Sequence, residues 1–276
     1  MLATAWKTVV KLALQEDIGC GDITSNAIFT GKEIGCARIV TKADGVIAGM
    51  EIAAYVFTLL DQDISFTAAL SDGARVRNGD CLAEISGRIT AILAGERVAL
   101  NFLQHLSGIA TATAIFTEQV RELPVRVTDT RKTTPGLRAL EKYAVRTGGG
   151  CNHRFNLSDG ILIKDNHIKA AGSITAAIAK ARQLAGHLRK IEVEVENLGQ
   201  LQEALQARAD IIMLDNMSIA DMRQAVTITA GRALLEASGG ITENNIAEIA
   251  ATGVNIVSSG ALTHSVKSLD ICLDIL

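Results

Sequence analysis

Apolar and polar positions repeat with two different rhythms along this chain, and the change falls near residue 125. Met1 to Asp17 has the spacing of an amphipathic helix with Lys7 and Lys11 inside it, unlike a signal segment. Between about residues 34 and 90 the apolar runs are short and broken by turn residues. They are Ile34 to Thr41, Val46 to Ala48 after Ala43-Asp44-Gly45, Gly73 to Val76, and Cys81 to Ile85 after Asn78-Gly79-Asp80. These predict a small sheet, interrupted by a helix from Ala53 to Leu60. A long helix is predicted from Ile92 to Val120, with Leu93, Val98, Leu100, Leu103, Leu106, Ile109 and Ile115 on its apolar face.

From Val125 onward, short apolar strands end in polar or glycine residues and mostly lead into helices. The strands are Val125 to Thr128, Ile161 to Ile163, Ile191 to Val195, Ile211 to Leu214, Ala233 to Leu235 and Val254 to Val257. This α/β rhythm is that of a barrel. Six strands in place of eight favour an atypical, incomplete α/β barrel, with a doubly wound open sheet as the alternative. In both, chemistry sits at the carboxyl ends of the strands. Those ends carry Asp129, Arg131 and Lys132, then Lys164 to His167, Glu194 and Glu196, Asp215 and Asn216, Ser238-Gly239-Gly240, and Ser258-Ser259-Gly260. Glycines there let a backbone approach a phosphate and offer it N–H donors.

Glu192, Glu194 and Glu196 alternate with Ile191, Val193 and Val195, so the three carboxylates share one face. Inside a barrel they need cations, hydroxyls or a metal to meet them. A cationic group lies close in sequence: Arg131, Lys132, Arg138, Lys142, Arg146, His153, Arg154 and Lys164. His105 and His187 read as structural. There is no G-x-x-x-x-G-K-[ST] loop and no G-x-G-x-x-G after a strand, so P-loop and Rossmann chemistry have no support.

Composition narrows the picture. The 276 residues are 48% hydrophobic, enough for a substantial core, and only 3% aromatic, so charge is the more plausible recognition device. With 27 Lys and Arg against 30 Asp and Glu, and no basic tract, nucleic-acid binding is excluded as an expectation. Cys20, Cys36, Cys81, Cys151 and Cys272 form no C-x-x-C pair, which argues against zinc and disulfides and for mostly buried thiols in a reducing cytoplasm. No uncharged run reaches the roughly 18 apolar residues of a membrane span. From the residues alone, an enzyme handling phosphorylated anions, a Schiff-base lyase using Lys164, and a non-catalytic sensor of phosphorylated sugars stay open.

The stretch Thr130-Arg131-Lys132-Thr133-Thr134-Pro135-Gly136-Leu137-Arg138 continues through Glu141 to Val145, Gly148 to Gly150, Asn152-His153-Arg154 and Leu162 to His167. It resembles the signature block of quinolinate phosphoribosyltransferases. The likeness extends to Glu16-Asp17, Gly21 to Ser25, Gly95-Glu96-Arg97, Ala99 to Phe102, Glu192 to Asn197, Leu214 to Asn216, Ser238-Gly239 and Gly260 to His264. It implies an N-terminal α/β sandwich over residues 1–107, joined by 266–276, packed on an incomplete barrel over 108–265. It also implies a homodimer with shared active sites, with further assembly to a hexamer open, a cytoplasmic location, and quinolinate and phosphoribosyl pyrophosphate as substrates.

By that resemblance Arg131, His153, Arg154 and Lys164, with Arg97 from the partner, hold the quinolinate carboxylates. Lys132 sits near the pyrophosphate, and Glu194 and Asp215 meet ribose hydroxyls and Mg2+. Ser238, Gly239, Gly240, Ser259 and Gly260 cradle the 5-phosphate, and Thr130 and Ala261 complete the binding set. Lys132, Lys164, Glu194 and Asp215 are the expected catalytic group. The chain departs from the commonest pattern at Gly240, where many relatives have Asn, at Asn255, where Asp is usual, and at Ser259, where an apolar residue is frequent and the hydroxyl would add a donor.

Overall fold

The computed structural model describes residues 2–276, with side chains from residue 6 onward. Met1, where the first predicted helix begins, lies outside the described residues. The first part of the chain runs α1 (Leu2–Ile18), α2 (Ile23–Ile28), β1 (Ile34–Thr41), β2 (Gly45–Val46), α3 (Met50–Leu60), β3 (Ser65–Ala68), β4 (Arg75–Val76), β5 (Cys81–Arg88) and α4 (Ile89–Gln119). Asp22 caps α2 by accepting from the Thr24 and Ser25 amides at 3.1 and 3.0 Å. The Asp72 carboxylate does the same for α3, accepting from the Gly49 and Met50 amides at 2.9 and 3.0 Å. The α4 face is the one the spacing predicts: Leu100, Leu103, Leu106 and Ile109 are at most 1% exposed. Leu93 is half-buried and Ile115 is 43% exposed. At 31 residues and a mean hydropathy of 1.2, α4 has the length and composition to cross a membrane, but 67% of its apolar window is buried in the protein, as a core helix requires.

The chain continues through β6 (Arg126–Thr128), α5 (Arg138–Thr147), β7 (Ile161–Ile163), α6 (Asp165–Ala171), α7 (Ile174–Ala185) and β8 (Ile191–Val195). Then follow α8 (Leu198–Gln206), β9 (Ile211–Asp215), α9 (Ile219–Thr229), β10 (Leu234–Ser238), α10 (Ile246–Ala250), β11 (Ile256–Ser258), α11 (Ala261–His264) and β12 (Ile271–Ile275). Ser173, Asn197 and Ser218 cap α7, α8 and α9, so the α6–α7 junction and two strand-to-helix turns in the barrel use the same short polar device.

Two compact units result. The first comprises Met1–Ala114, Thr133–Gly149 and Ser265–Leu276; its sheet is antiparallel in the order β12-β1-β5-β3, beside a β2–β4 pair. Compared with the expected boundary at residue 107, this unit extends further along α4 and takes back the segment around α5. The physical reason is anchoring: Glu141 is fully buried and meets His105 Nε2 at 3.0 Å, Tyr143 donates to Asp72, and Gly148 packs so closely on Ala110 that a Cβ would sit 2.3 Å from its carbonyl. Arg138, Lys142 and Arg146, counted among the cations by sequence, therefore belong to this unit.

The second unit, Ile115–Lys132 with Gly150–His264, holds a six-stranded parallel sheet in the order β6-β11-β10-β9-β8-β7. From β7 to β11 each strand lies beside its predecessor, and β6 then pairs with β11. The winding never reverses, which excludes the doubly wound alternative. β6 and β7 end the row without pairing with each other, so this is an incomplete barrel. Ile191, Val193 and Val195 are fully buried, as the alternation requires, while Glu192 and Glu194 take the other face.

One expectation fails. None of the five cysteines is buried: Cys20, Cys36 and Cys151 are exposed, and Cys81 and Cys272 half-buried. Cys36 and Cys272 sit on sheet strands beside residues that reach the core, Ala37 and Ile271, while Cys81 lies at the start of β5 ahead of the buried Leu82 and Ala83.

Candidate active site

The carboxyl ends of the barrel strands surround a cavity of about 530 Å³. It brings together Thr130, Arg131, Lys132, His153, Arg154, Lys164, Glu194, Asp215, Ser238, Gly239 and Gly240, drawn from every strand end from β6 to β10 and from the loop at residues 152–154. The local folding of that loop explains its place. Cys151 makes a parallel bridge to Thr128, and the fully buried Asp129 carboxylate accepts from Asn152 Nδ2 at 2.6 Å and the His153 amide at 2.9 Å. Asp129 thus fastens the loop to β6, and His153 and Arg154 inherit their position from it.

One wall of the cavity is made of long cationic side chains. Lys164 contacts the Glu194 carboxylate across the β7–β8 edge. Arg154 donates through Nη1 to the Gly160 carbonyl at 2.9 Å. Burial and the neighbouring Arg131 charge lower its pKa from the ordinary arginine value, and Glu192 and Glu194 oppose that. Two guanidinium groups held close enough to repel each other form a site that an anion would relieve.

Beneath this wall lies an assembly that sequence reading did not include. His153 Nε2 is 3.3 Å from Glu192 and 3.6 Å from Glu236, both carboxylates being buried. Burial and the adjoining Glu192 charge push the Glu236 carboxyl well above the usual carboxylate range, with His153 pulling the other way. The three ligand-type atoms lie within 4.8 Å of one another. However, His153 Nδ1 accepts from the Arg154 amide at 2.8 Å, so in the neutral ring Nε2 carries the proton and points it at the carboxylates. That is a hydrogen-bonded floor rather than a metal centre. Glu236 was legible in principle: it alternates with Ser238 along β10 and so shares its inward face.

The other wall is mostly backbone and glycine. Gly239 and Gly240 have φ of 98° and 60°, where a side chain is strained. Gly240 therefore stands at a left-handed position, the conformation that Asn also tolerates. Gly260 lacks a Cβ because one would sit 3.0 Å from Lys132 Cδ and 2.9 Å from His264 Cδ2. Ala261 opens α11 directly after it. Ser259 does not fulfil the role of an added donor: it is 3% exposed, its hydroxyl donates to the Ile241 carbonyl at 3.0 Å and its amide to the Thr128 carbonyl at 3.0 Å. Ser258, not Ser259, lines the cavity. Asn255 acts as the acceptor an Asp would be, taking the Leu235 amide at 2.8 Å.

A second cavity of about 380 Å³ shares Glu194 and Asp215 with the first and adds Asp165, Glu196 and Lys169. Its wall offers hard carboxylate oxygens, the donor type that Mg2+ takes. Arg97 lies on α4 in the first unit, its side chain 57% exposed and 3.8 Å from Glu96.

An incomplete α/β barrel whose mouth joins fixed arginines and lysines to glycine turns and two carboxylates is the architecture of an enzyme acting on a phosphorylated, multiply anionic substrate. Two family models match the chain: the quinolinate phosphoribosyl transferase N-terminal domain over residues 22–107 and its C-terminal domain over residues 109–274. A probable nicotinate-nucleotide pyrophosphorylase [carboxylating] of Bacillus subtilis is 51% identical over 260 residues, 94% of this chain and 90% of that protein. Quinolinate phosphoribosyltransferase [decarboxylating] 1b of Nicotiana tabacum is 38% identical over 288 residues, 98% and 82% of the two chains. The crystal structure of NadC from Streptococcus pyogenes superposes with a TM-score of 0.94 at 48% identity, covering 98% of this chain and 97% of its own. The chain belongs to the quinolinate phosphoribosyltransferase family. It is accordingly an enzyme of the pentosyltransferase class, acting in de novo NAD biosynthesis.

Proposed function

We propose that the cavity joins quinolinate to phosphoribosyl pyrophosphate and releases nicotinate mononucleotide, pyrophosphate and carbon dioxide. The observation that supports this best is the union, in one cavity, of a cationic wall suited to a dicarboxylate and a glycine wall suited to a phosphate, with Glu194 and Asp215 between them in the strand order. Arg131, Arg154 and Lys164 hold the two carboxylates, Arg by planar forks and Lys as a point charge. His153, its two ring nitrogens already engaged, contributes by shaping the floor. Thr130, Ser238, Gly239, Gly240, Gly260 and Ala261 receive the sugar and its 5-phosphate, and Lys132 the pyrophosphate end.

As the bond from the ribose carbon to pyrophosphate breaks, that carbon becomes cationic, and Glu194 and Asp215, already in place, stabilise it through the ribose hydroxyls. The pyridine nitrogen attacks this carbon and becomes a cation. The carboxylate next to it then leaves as carbon dioxide; its bonding pair stays on the ring carbon, stabilised by the adjacent positive nitrogen, and takes up a proton. Mg2+, when bound, would be held by Glu194 and Asp215, directly or through water, and would neutralise the leaving pyrophosphate. The chain's membership of the quinolinate phosphoribosyltransferase family leaves the Schiff-base lyase alternative without support. Incubation with quinolinate, phosphoribosyl pyrophosphate and Mg2+ should yield nicotinate mononucleotide and carbon dioxide; absence of both would sink the reading.

The working unit in this reading is a cytoplasmic dimer in which the partner's Arg97 completes each mouth; the five unpaired thiols suit a reducing compartment. Arg97→Ala and Lys164→Ala, each nearly inactive, should regain activity when co-expressed. In mixed twofold dimers one mouth collects both lesions and the other neither, leaving about a quarter of all mouths intact under random pairing. Differentially tagged mixed dimers that stay inactive would rule out the shared mouth.

A further inference from the structure

The parallel pair β9–β10 sets Asp215 beside Ser238, and the ladder runs one step further, with the Asn216 amide donating to the Ser238 carbonyl at 2.9 Å. Both chains then turn at once. Asn216 adopts φ 53°, one of three non-glycine residues in the left-handed region among the described residues, and Gly239 adopts φ 98°. Asn accepts that conformation better than most side chains do. Its carboxamide donates through Nδ2 to Asp215 Oδ1 at 3.1 Å, and it lies over Gly239 so closely that a Cβ there would sit 2.2 Å from Asn216 Oδ1. Asn216 itself lines the cavity.

We infer that Asn216 is a positioning residue for the sugar phosphate: it locks the carboxylate that meets the ribose hydroxyls and the glycine turn that meets the 5-phosphate into one frame. One side chain thereby fixes the span between the two ends of the phosphorylated sugar, and so the length of sugar that fits. The hydrogen bonds of Asn216 go to Asp215 and Ser238, not to the ring-binding wall on β6 to β8. The inference rests on the phosphoribosyltransferase reading above.

Asn216→Gly separates the two roles of the residue, since glycine keeps the left-handed backbone without strain and removes only the carboxamide. By calorimetry it should bind ribose 5-phosphate roughly tenfold more weakly than the parent, the loss expected for a hydrogen bond to a charged group. Quinolinate affinity should stay within about twofold, and the KM for phosphoribosyl pyrophosphate should rise more than kcat falls. Ribose 5-phosphate affinity within about twofold of the parent's, or equal losses for both ligands, would overturn the inference. The binding arms stand apart from turnover, so a parent that makes no nicotinate mononucleotide defeats the reaction assigned above, whereas a parent and variant that bind ribose 5-phosphate alike defeat the role of Asn216.

Discussion

The two walls of the cavity solve the same electrostatic problem with opposite means. At the β6–β8 ends, in the proposed reading, recognition is carried by long side chains: Arg131, Arg154 and Lys164, the last two held by Gly160 and Glu194. At the β9–β11 ends it is carried by main chain, with Gly239, Gly240 and Gly260 keeping side chains out of the way. The first wall is sensitive to lost charge and tolerant of small changes in volume. The second has little charge to lose and, at Gly239 and Gly260, no room for a methyl group. The contrast suits the ligands: a planar dicarboxylate is read by forks, a tetrahedral phosphate by converging N–H groups.

The largest effect should come from breaking the charged wall. In the proposed reading Lys164→Ala removes a cation from quinolinate, and it leaves Glu194, only 15% exposed, without its partner. Loss of one member of such a pair predicts a fall in kcat/KM of at least roughly thirtyfold. The fold should persist, because Lys164 is itself 45% exposed. Wild-type kcat/KM in a folded Lys164→Ala would return this lysine to the ordinary surface.

An intermediate effect should follow a single methyl on the other wall. Gly239→Ala places a Cβ 2.2 Å from Asn216 Oδ1 at φ 98°, so both the contact and the backbone resist it. A cost of about 1–3 kcal/mol for the strained backbone lowers the melting temperature by roughly 2–4 °C per kcal/mol. In the Asn216→Gly background the crowding disappears and only the φ strain remains, so the two substitutions should be non-additive. Strict additivity in melting temperature would show that Gly239 is there for its dihedral alone.

The two walls were also unequally legible in the sequence. Runs such as Arg131-Lys132 and Lys164 to His167 announce themselves because charge at a strand end has few other uses, and six apolar strands sufficed to foresee an open barrel. The packing between neighbouring loops was not legible, because it joins residues that spacing leaves unrelated. Asn216 over Gly239 is one case; His153 over Glu192 and Glu236, gathered from a loop and two strands, is another. Ser259 shows the limit from the other side, a hydroxyl in the right segment whose rotation into the Ile241 carbonyl no pattern foretells. The signature block misleads in one respect, since its cations divide between the cavity and the α5 segment held by His105, Asp72 and Ala110.

The smallest effect concerns the floor under the charged wall and reads out in pH. Glu236 is 2% exposed and faces Glu192 from β8, His153 from the 151–154 loop and Ser258 from β11. Burial and Glu192 hold its pKa above that of an unfolded chain, so between the two values the folded protein binds more protons than the unfolded one. Stability from this group is therefore complete below the ordinary carboxyl range, about pH 4, and declines as pH rises through the higher folded value. Glu236→Gln keeps the shape with no proton to lose. Its melting temperature relative to the parent should rise between about pH 5 and 8, by roughly 2–4 °C if one kcal/mol is involved. A difference that stays constant across that range would mean that Glu236 titrates as an ordinary carboxyl.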